Sequence, residues 1–393
     1  MACKKNSPTI AVTGITPLAG LQNTAVTITG TGFNAVDSVR FTGITAVINT
    51  LTATQMVVTV PAKASTGNIT LYSKGMATTY PSVFTVTSFT TTTLPAANGT
   101  FKGLVIANIA ADAAGNIYCN TNKDTVYKIT SSGVKSMLAI AGAGSTILGG
   151  TAVDATGNVY TVGTNDFKIY KITPAGAVSV FAGSGVSGFA DGQGTATLFT
   201  APAGIAIDAA GNLYVTDVYR VRKITPAGMV STFAGGGTAG KVDGLGTAAT
   251  FGAYGNLMNI TIDATGNVYV SEGIYNYSPA AVDYIRKITP AGAVTTTAAV
   301  PWGGGPALTS LLAVDADGNI FMPQMIYPPY GNSYFSDPIN MVNRTGYSSD
   351  FYDLSKLSLY GVGATGITFD ASGNMYISAA ISSGSAIIKF VFK

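Results

Sequence analysis

The chain has 393 residues, 10% of them charged, and its 21 Lys and Arg against 18 Asp and Glu give a net charge of +3. This near balance, without a basic stripe, argues against a phosphate-binding surface, and we expect no nucleic-acid partner. Histidine is absent, which excludes Ser-His-Asp triads and His-ligated zinc. No apolar run reaches the roughly 20 residues that a membrane-spanning helix needs. These limits favour a β-rich chain of two domains, for which we expect neither a cofactor nor a metal site.

The first six residues read Met1-Ala-Cys-Lys-Lys-Asn6. They resemble the start of a mature bacterial lipoprotein, in which the cysteine carries the lipid and a polar tether follows. The resemblance implies acylation of Cys3 and export to the outer-membrane surface or the periplasm, with membrane attachment through that lipid alone. The alternative is a cytosolic protein with an incidental cysteine. The second cysteine, Cys119, lies in an apolar run and is predicted to be a core residue.

Residues 7–88 contain short β-forming runs separated by Gly and Pro, which predict a small β-sandwich. This segment resembles the immunoglobulin-like IPT/TIG family in Ile15-Thr-Pro17, Gly30-Thr-Gly-Phe33, Val39-Arg-Phe-Thr-Gly43, Val60-Pro61 and Phe84-Thr-Val86. The resemblance implies a spacer or an interaction module and no catalysis.

From residue 89 onward one motif, Asp-x-x-Gly-Asn-x-aromatic, occurs six times at intervals of about 42 to 55 residues. It starts at Asp112, Asp154, Asp208, Asp263, Asp315 and Asp370. Such a period suits one four-stranded blade per repeat. We therefore predict an all-β chain, with an immunoglobulin-like sandwich followed by a six-bladed β-propeller over residues 89–393.

Each motif joins two strands through a turn in which the Asp caps backbone donors and the Gly takes a positive φ. Asp315-Ala-Asp317 could be mistaken for a calcium loop, but the distal Glu of an EF-hand is missing, and we favour the turn. A third strand runs into Lys-Ile-Thr-Pro-Ala-Gly at 171–176, 223–228 and 287–292. Together with the Phe-Ala-Gly and Asp-Gly-x-Gly segments at 181–183 and 191–194, this pattern resembles the NHL-repeat propellers.

The two ends of the propeller segment complement each other. The last repeat ends at Phe390 without an evident fourth strand, whereas the β-forming run 89–94 precedes the first repeat without an evident partner. We predict that residues 89–94 close the ring by joining the sixth blade, which removes the open edges of an unclosed array.

Functional residues in a repeat scaffold are expected where the repeats differ. Because antiparallel strands alternate in direction, connections from second to third strands and from fourth strands to the next blade share one face. That face collects aromatic and amide side chains, which suit stacking and hydrogen bonding to a carbohydrate. The predicted ligand-binding residues are Trp302, Tyr275, Tyr277, Tyr327, Tyr330, Tyr334, Gln324 and Asn332. The alternatives are that they pack the loops together or contact a protein partner.

The repeat places four polar residues at the ends of the second strands, where they could converge on the central channel. They are Asn120, Asp217, Glu272 and Gln324. Asp217 and Glu272 could act as an acid and base pair in a hydrolase or lyase. They could equally satisfy backbone donors of the loops, which we favour. NHL propellers that are enzymes, such as peptide-amidating lyases, use zinc-binding histidines that this chain lacks. The sequence therefore favours a non-catalytic carbohydrate-binding lipoprotein, with an enzyme or a protein-interaction scaffold as alternatives.

Overall fold

The structure is a computed structural model whose fold is all-β, and the chain divides into two compact units between Thr90 and Thr91, apart from short C-terminal stretches grouped with the first unit. No helix among the described residues is long and apolar enough to cross a membrane. The structure describes residues 10–20, 22, 24–61, 63–86, 89–94, 101–141, 148–252, 257–272, 282–301, 311–316, 318–323, 338–342, 348–353, 364–381 and 384–392.

The N-terminal unit is a two-sheet sandwich. One sheet has the strand order β1-β3-β7-β6 and the other the order β2-β9-β8-β4-β5. The strands are β1 (Ala11–Thr16), β2 (Ala19–Gly20), β3 (Ala25–Thr31), β4 (Ser38–Phe41), β5 (Ile44–Thr45), β6 (Val47–Leu51), β7 (Gln55–Thr59), β8 (Gly67–Ser73) and β9 (Met76–Val86).

Alternating side chains build the core of this sandwich. In β8, for example, Ile69 and Leu71 are buried whereas Asn68 is exposed, which is the period-two pattern of a strand with one covered face. The rings of Phe41 and Phe84 meet edge to face with centroids 5.1 Å apart. Gly30 allows β1 and β3 to approach closely, since a Cβ there would lie 2.0 Å from the Ala11 carbonyl oxygen.

The remaining strands form six blades, each around a four-stranded core. Three blades gain a fifth, short strand, and β25 (Ala239–Gly240) and β27 (Phe251–Gly252) form a separate two-stranded sheet. Before them lie β10 (Phe89–Leu94) and β11 (Phe101–Lys102). Blade 1 contains β12 (Ile106–Ala111), β13 (Ile117–Thr121), β14 (Thr125–Ile129) and β15 (Lys135–Ile140). Blade 2 contains β16 (Leu148–Val153), β17 (Val159–Gly163), β18 (Lys168–Ile172) and β19 (Val178–Ala182).

Blades 3 and 4 carry additional short strands in the connections that lead to them. Blade 3 follows β20 (Gly192–Gln193) and contains β21 (Pro202–Ile207), β22 (Leu213–Asp217), β23 (Arg220–Ile224) and β24 (Met229–Ala234). Blade 4 follows β25 (Ala239–Gly240), β26 (Gly244–Leu245) and β27 (Phe251–Gly252), and contains β28 (Leu257–Ile262), β29 (Val268–Glu272), β30 (Val282–Ile288) and β31 (Ala293–Pro301).

The last two blades complete the series. Blade 5 contains β32 (Ala313–Val314), β33 (Ile320–Pro323), β34 (Pro338–Val342) and β35 (Ser348–Asp353). Blade 6 contains β36 (Ala364–Phe369), β37 (Met375–Ile381) and β38 (Gly384–Phe392). The described 3-10 turns are Phe33–Ala35, Gly194–Ala196 and Gly246–Ala248.

Apolar clusters lie between neighbouring blades and hold them together. The second strands β13, β17, β22 and β29 are buried along their whole length, including the polar residues at the ends of β13, β22 and β29. One cluster joins Ile117 and Cys119 of blade 1 to Tyr376 and Ile387 of blade 6. Cys119 is fully buried, as predicted, and burial raises the pKa of its thiol. The last blade therefore packs against the first.

The sixth sheet takes its fourth strand from the start of the propeller segment. Its order is β10-β38-β37-β36, so the outer strand β10 comes from residues that precede blade 1. Strand β11 also pairs with β38, with Phe101 opposite Ser385. These pairings tie the two ends of the segment into one sheet.

This closure leads to a test by truncation. A chain that starts at Ala96 lacks β10 and leaves an unpaired edge on β38, whereas a chain that starts at Phe89 keeps the complete sixth sheet. We expect the shorter chain to melt at a temperature at least several degrees lower, because a strand of six residues and its buried Leu94 are lost. Equal melting temperatures in thermal unfolding followed by circular dichroism would show that β10 does not stabilise the ring.

Candidate functional site

The repeated Asp is the hydrogen-bond acceptor of a closed turn between the first and second strands. In blade 1, Asp112 Oδ1 accepts the backbone N–H groups of Ala114 and Asn116, each at 2.9 Å. Its Oδ2 accepts the Asn116 amide at 2.8 Å and the Tyr118 hydroxyl at 3.2 Å. Gly115 has a φ of 75°, which favours glycine. The same bonds from the Asn occur at Asp154, Asp208, Asp263, Asp315 and Asp370.

These contacts shift the proton affinities of the turn residues. Burial raises the pKa of Tyr160 to about 12, and the nearby Asp154 carboxylate that accepts its hydroxyl adds to the rise. Burial by itself would raise the pKa of Asp154, but hydrogen bonds from Asn158 and Thr156 outweigh it and lower the pKa. The Asp154 carboxylate is therefore held in its ionised form, and like the other turn carboxylates it is already bonded to protein donors. Among the described residues, no group of three or more His, Cys, Asp or Glu side chains could hold a metal ion.

Asp217 is buried against an arginine instead of lining the channel. Its Oδ2 lies 3.1 Å from Nη1 of Arg222, and both side chains are fully buried. Its Oδ1 accepts the backbone N–H groups of Thr200 and Ala201 at 2.8 Å each. Both carboxylate oxygens are thus used for structure.

Glu272 has the same arrangement in the next blade. Its Oε1 lies 2.6 Å from Nη1 of Arg286, again with both side chains fully buried, and its Oε2 accepts the backbone N–H of Gly252 at 3.1 Å. Neither Asp217 nor Glu272 is among the residues that line the central cavity. The structure therefore shows both carboxylates in the loop-bonding role that the sequence offered as the alternative to an acid and base pair.

Each buried arginine also binds a second carboxylate from the connection that precedes its blade. Arg222 Nη2 lies 2.7 Å from Oδ1 of Asp191, and Arg286 Nη2 lies 2.9 Å from Oδ1 of Asp243. Burial would raise the pKa of Asp243, but the N–H and hydroxyl of Thr296 and the Arg286 guanidinium lower it. We call the two sets, Asp191–Arg222–Asp217 and Asp243–Arg286–Glu272, the interblade clamps.

The clamps attach each connection to the outer edge of the blade that follows. Beside Asp191, β20 pairs with β24, and beside Asp243, β26 pairs with β31. The two connections thus reach from the channel side of the ring to the outer strands of blades 3 and 4. The Asp-Gly-x-Gly segment, by which the sequence resembles the NHL-repeat propellers, thus attaches each of these connections to the outer strand of the following blade.

The strand register changes the alignment of one predicted site residue. Asp217 lies opposite Pro202 and Glu272 opposite Leu257, at the start of the first strand of each blade. In blade 1 the residue opposite that position is Thr121, and Asn120 lies one residue earlier. Asn120 is fully buried, and its amide donates to the Gly149 carbonyl at 2.6 Å. The sequence alignment that placed Asn120 beside Asp217 was therefore wrong by one residue, and Asn120 connects blade 1 to blade 2.

The first strands of the six blades line a central cavity of about 220 Å³. Each is the terminal strand of its sheet, so the N–H and C=O groups of its free edge have no ladder partner. The cavity-lining side chains are neutral, and the polar ones are Asn108, Thr151, Asn259, Thr261 and Thr368. The wall can therefore donate and accept hydrogen bonds, and none of these lining residues carries an acidic or basic side chain.

The predicted aromatic surface lies outside the described residues. This applies to Trp302, Tyr275, Tyr277, Tyr327, Tyr330 and Tyr334, to Gln324 and Asn332, and to the lipidation residue Cys3. Their roles stay predictions from the sequence.

Two cation-aromatic pairs in neighbouring blades were not predicted from the sequence. The Phe189 ring, 47% exposed, lies 3.9 Å from Cζ of Arg220, and in the next blade Lys241 Nζ lies 3.3 Å from the centre of the Tyr284 ring. The ring belongs to the connection in the first pair and to the third strand in the second. The sequence does contain a signal for these pairs, because each residue of a pair stands two positions before a charged residue of a clamp. This spacing becomes visible only when the sequences of the two connections are aligned with each other.

The clamps lead to a test of stability. Asp217→Ala leaves the fully buried Arg222 without its buried partner, and removal of one member of such a pair costs about 3–5 kcal/mol. Asp191→Asn is the matched control, because Asp191 is half exposed and its contribution is reduced to about 1 kcal/mol or less by solvent. Urea unfolding should show a much larger loss for Asp217→Ala, and equal losses would contradict the assignment.

Comparisons with known proteins agree with this architecture. Residues 10–100 match the IPT/TIG domain model. A search of curated proteins finds no match. Among solved structures, a protein of unknown function from Bacteroides thetaiotaomicron is 18% identical, with 99% of each chain covered and a TM-score of 0.52.

Two enzymes have similar folds over part of the chain. A streptogramin B lyase is 13% identical, with 78% of this chain and 98% of that chain covered and a TM-score of 0.50. A gluconolactonase from Xanthomonas campestris is 12% identical, with 75% of this chain and 88% of that chain covered and a TM-score of 0.51. At these identities the similarity shows the fold and not the activity. The chain thus combines an N-terminal TIG domain with a β-propeller.

Proposed function

We propose that this protein is a non-catalytic, exported lipoprotein whose NHL-like propeller binds a carbohydrate on the face that carries the variable connections. The observation that carries the proposal is the neutral wall of the central cavity, which presents amides, hydroxyls and free strand edges. A ligand that is neutral and rich in hydroxyl groups matches such a wall, because a charged ligand would be desolvated there without an opposing charge.

The state of the buried carboxylates supports binding over catalysis. An acid and base pair needs carboxylates that reach the substrate. Asp217 and Glu272 instead face Arg222 and Arg286 and accept backbone hydrogen bonds, with no exposed surface. Freeing either one would leave a buried arginine with only its half-exposed partner, Asp191 or Asp243, so the clamps oppose a catalytic use of these two residues.

The sequence of the variable connections adds an aromatic component. Trp302 follows a fourth strand and Tyr330 follows a second strand in the sequence, so both are predicted to lie on the face of the variable connections. Flat rings stack on the apolar face of a pyranose. We propose that these rings hold the sugar chain while polar groups bond its hydroxyls. The IPT/TIG domain then serves as a spacer between the lipid anchor and the propeller.

Carbohydrate binding is tested with an array of plant, fungal and bacterial oligosaccharides, followed by calorimetry on each hit. We expect at least one saturable ligand, with Trp302→Ala and Tyr330→Ala each weakening binding about tenfold, which corresponds to about 1.4 kcal/mol.

Met137→Ala is the matched control for that experiment. Met137 is 61% exposed on β15, the outer strand of blade 1, and its loss should leave affinity unchanged. Absence of any ligand, or equal weakening by all three variants, would count against carbohydrate binding.

The lipid anchor is tested in cells. The proposal requires Cys3 to be acylated, so the protein expressed with a bacterial lipoprotein signal peptide should incorporate radiolabelled palmitate and fractionate with membranes. Cys3→Ser should remove both properties, and Cys119→Ser should remove neither, because Cys119 is fully buried. Palmitate labelling that persists in Cys3→Ser would contradict the assignment.

A further inference from the structure

Two asparagines occupy the same position on opposite sides of the central cavity. Asn108 and Asn259 both stand four residues before the repeated Asp, in the first strands of blades 1 and 4, and both line the cavity. Blades 1 and 4 are three places apart in a ring of six, so their inner strands face each other across the channel. The same position is glycine in blades 2, 3 and 6, at Gly150, Gly204 and Gly366.

Backbone hydrogen bonds determine which end of each amide is available. Asn108 Oδ1 accepts the N–H of Thr151 at 3.3 Å, and Asn259 Oδ1 accepts the N–H of Ile260 at 2.8 Å. Because a backbone N–H can only donate, the oxygen of each amide must be the atom that faces it. Each NH2 group is then left to donate elsewhere, and neither has a hydrogen-bond acceptor among the described residues.

A buried hydroxyl beside them also lacks a partner. Thr151 lines the cavity and is only 5% exposed, yet its Oγ1 forms no hydrogen bond. That oxygen has almost no accessible surface, so a molecule in the cavity cannot reach it. The two amide NH2 groups, on opposite sides of the cavity, are therefore the side-chain donors at this end of the wall.

The other end of the cavity is apolar. The residues that immediately precede the repeated Asp line it with Val153, Ile207, Ile262, Val314 and Phe369. At about 3.3 Å per residue, this ring lies roughly 10 Å further along the strands than the asparagines. All first strands run toward the Asp turns. The asparagines therefore lie nearer the opposite face, which carries the connections from second to third strands and from fourth strands to the next blade and which we call the variable face, and the apolar ring lies nearer the Asp turns. A molecule that enters from the variable face meets the donors first.

The size of the cavity limits what can enter. Its volume of about 220 Å³ is below the range of roughly 300–1,000 Å³ that is typical for pockets holding a drug-sized ligand. It therefore suits one small ring unit and not an oligosaccharide. Donors at the mouth suit the hydroxyl and ring oxygens of that unit, and the apolar ring suits its C–H faces.

From these features we propose that the central cavity binds the terminal unit of a carbohydrate chain, with the NH2 groups of Asn108 and Asn259 donating to its oxygens from opposite sides. The inference rests on the proposed carbohydrate binding and specifies which part of the carbohydrate is recognised. The cavity binds the terminal unit of the chain, while the aromatic connections contact the units that follow.

Asn→Asp substitutions separate the donor role from the structural role. Aspartate keeps an oxygen to accept the Thr151 or Ile260 N–H but replaces the NH2 donors with an acceptor. We expect Asn108→Asp and Asn259→Asp to weaken saccharide binding about tenfold or more, with melting temperatures close to that of the unchanged protein. Asn49→Asp is the matched control, because Asn49 lies in the N-terminal sandwich, where its amide donates to Thr59 Oγ1.

The binding site itself is located by NMR of protein labelled with 15N-asparagine. The probes are the methyl glycosides of glucose, galactose, mannose, xylose and N-acetylglucosamine, each of which imitates a terminal unit. We expect at least one probe to shift the side-chain NH2 signals of Asn108 and Asn259 saturably, while that of Asn49 stays in place. The titration uses the unchanged protein, so it decides the question even if a variant fails to fold.

The outcomes separate the two proposals. Oligosaccharide binding on the array with unmoved Asn108 and Asn259 signals, or with full affinity in both Asn→Asp variants, would overturn chain-end recognition and leave carbohydrate binding intact. No binding of any saccharide in either assay would overturn both. Saturable shifts of both signals in the unchanged protein, together with weakened saccharide binding by both Asn→Asp variants, would establish the cavity as the site.

Discussion

The hydrogen-bonded Asp turn is the interaction on which the propeller depends. One carboxylate takes up two backbone N–H groups, an Asn amide and, in five of the six blades, a Tyr hydroxyl, all within seven residues of chain. Hydrogen bonds to a charged group contribute about 1.5–3 kcal/mol each, so the turn strongly favours one geometry of the first and second strands. Six copies of that geometry place six first strands around one cavity.

The interblade clamps provide a constraint of another kind, limited to two neighbouring connections. They insert fully buried guanidinium groups between carboxylates from different parts of the chain, and such groups tolerate little displacement because any unpaired charge would be desolvated. This explains why Asp217 and Glu272 are unsuited to chemistry. Their oxygens hold Arg222 and Arg286 in place, and the connections they secure form part of the variable face.

The functional proposals follow from what remains once these structural roles are assigned. The carboxylates of the turns and clamps are bonded to protein groups, and among the described residues the neutral cavity wall is a surface suited to a ligand. The aromatic connections are added to it from the sequence alone. Within that wall, the orientation of Asn108 and Asn259 depends on the backbone donors of Thr151 and Ile260. The two ends of the cavity therefore differ, with the amide donors nearer the variable face and a ring of apolar side chains nearer the Asp turns.

The sequence by itself determined the two domains, the six repeats and the closed turns, because the bonds involved join residues only two to six positions apart or follow a regular period. It also suggested the aromatic carbohydrate surface, whose residues lie outside the described part of the chain and whose role stays a prediction. Only the tertiary structure decided the state of Asp217 and Glu272 and which amide atoms of Asn108 and Asn259 are bonded to the backbone. The carboxylate partners of Arg286 are 14 and 43 residues away, and Asn108 accepts the N–H of Thr151 from the next blade, so no local pattern carries that information. Burial and pairing between distant segments arise only when the blades assemble.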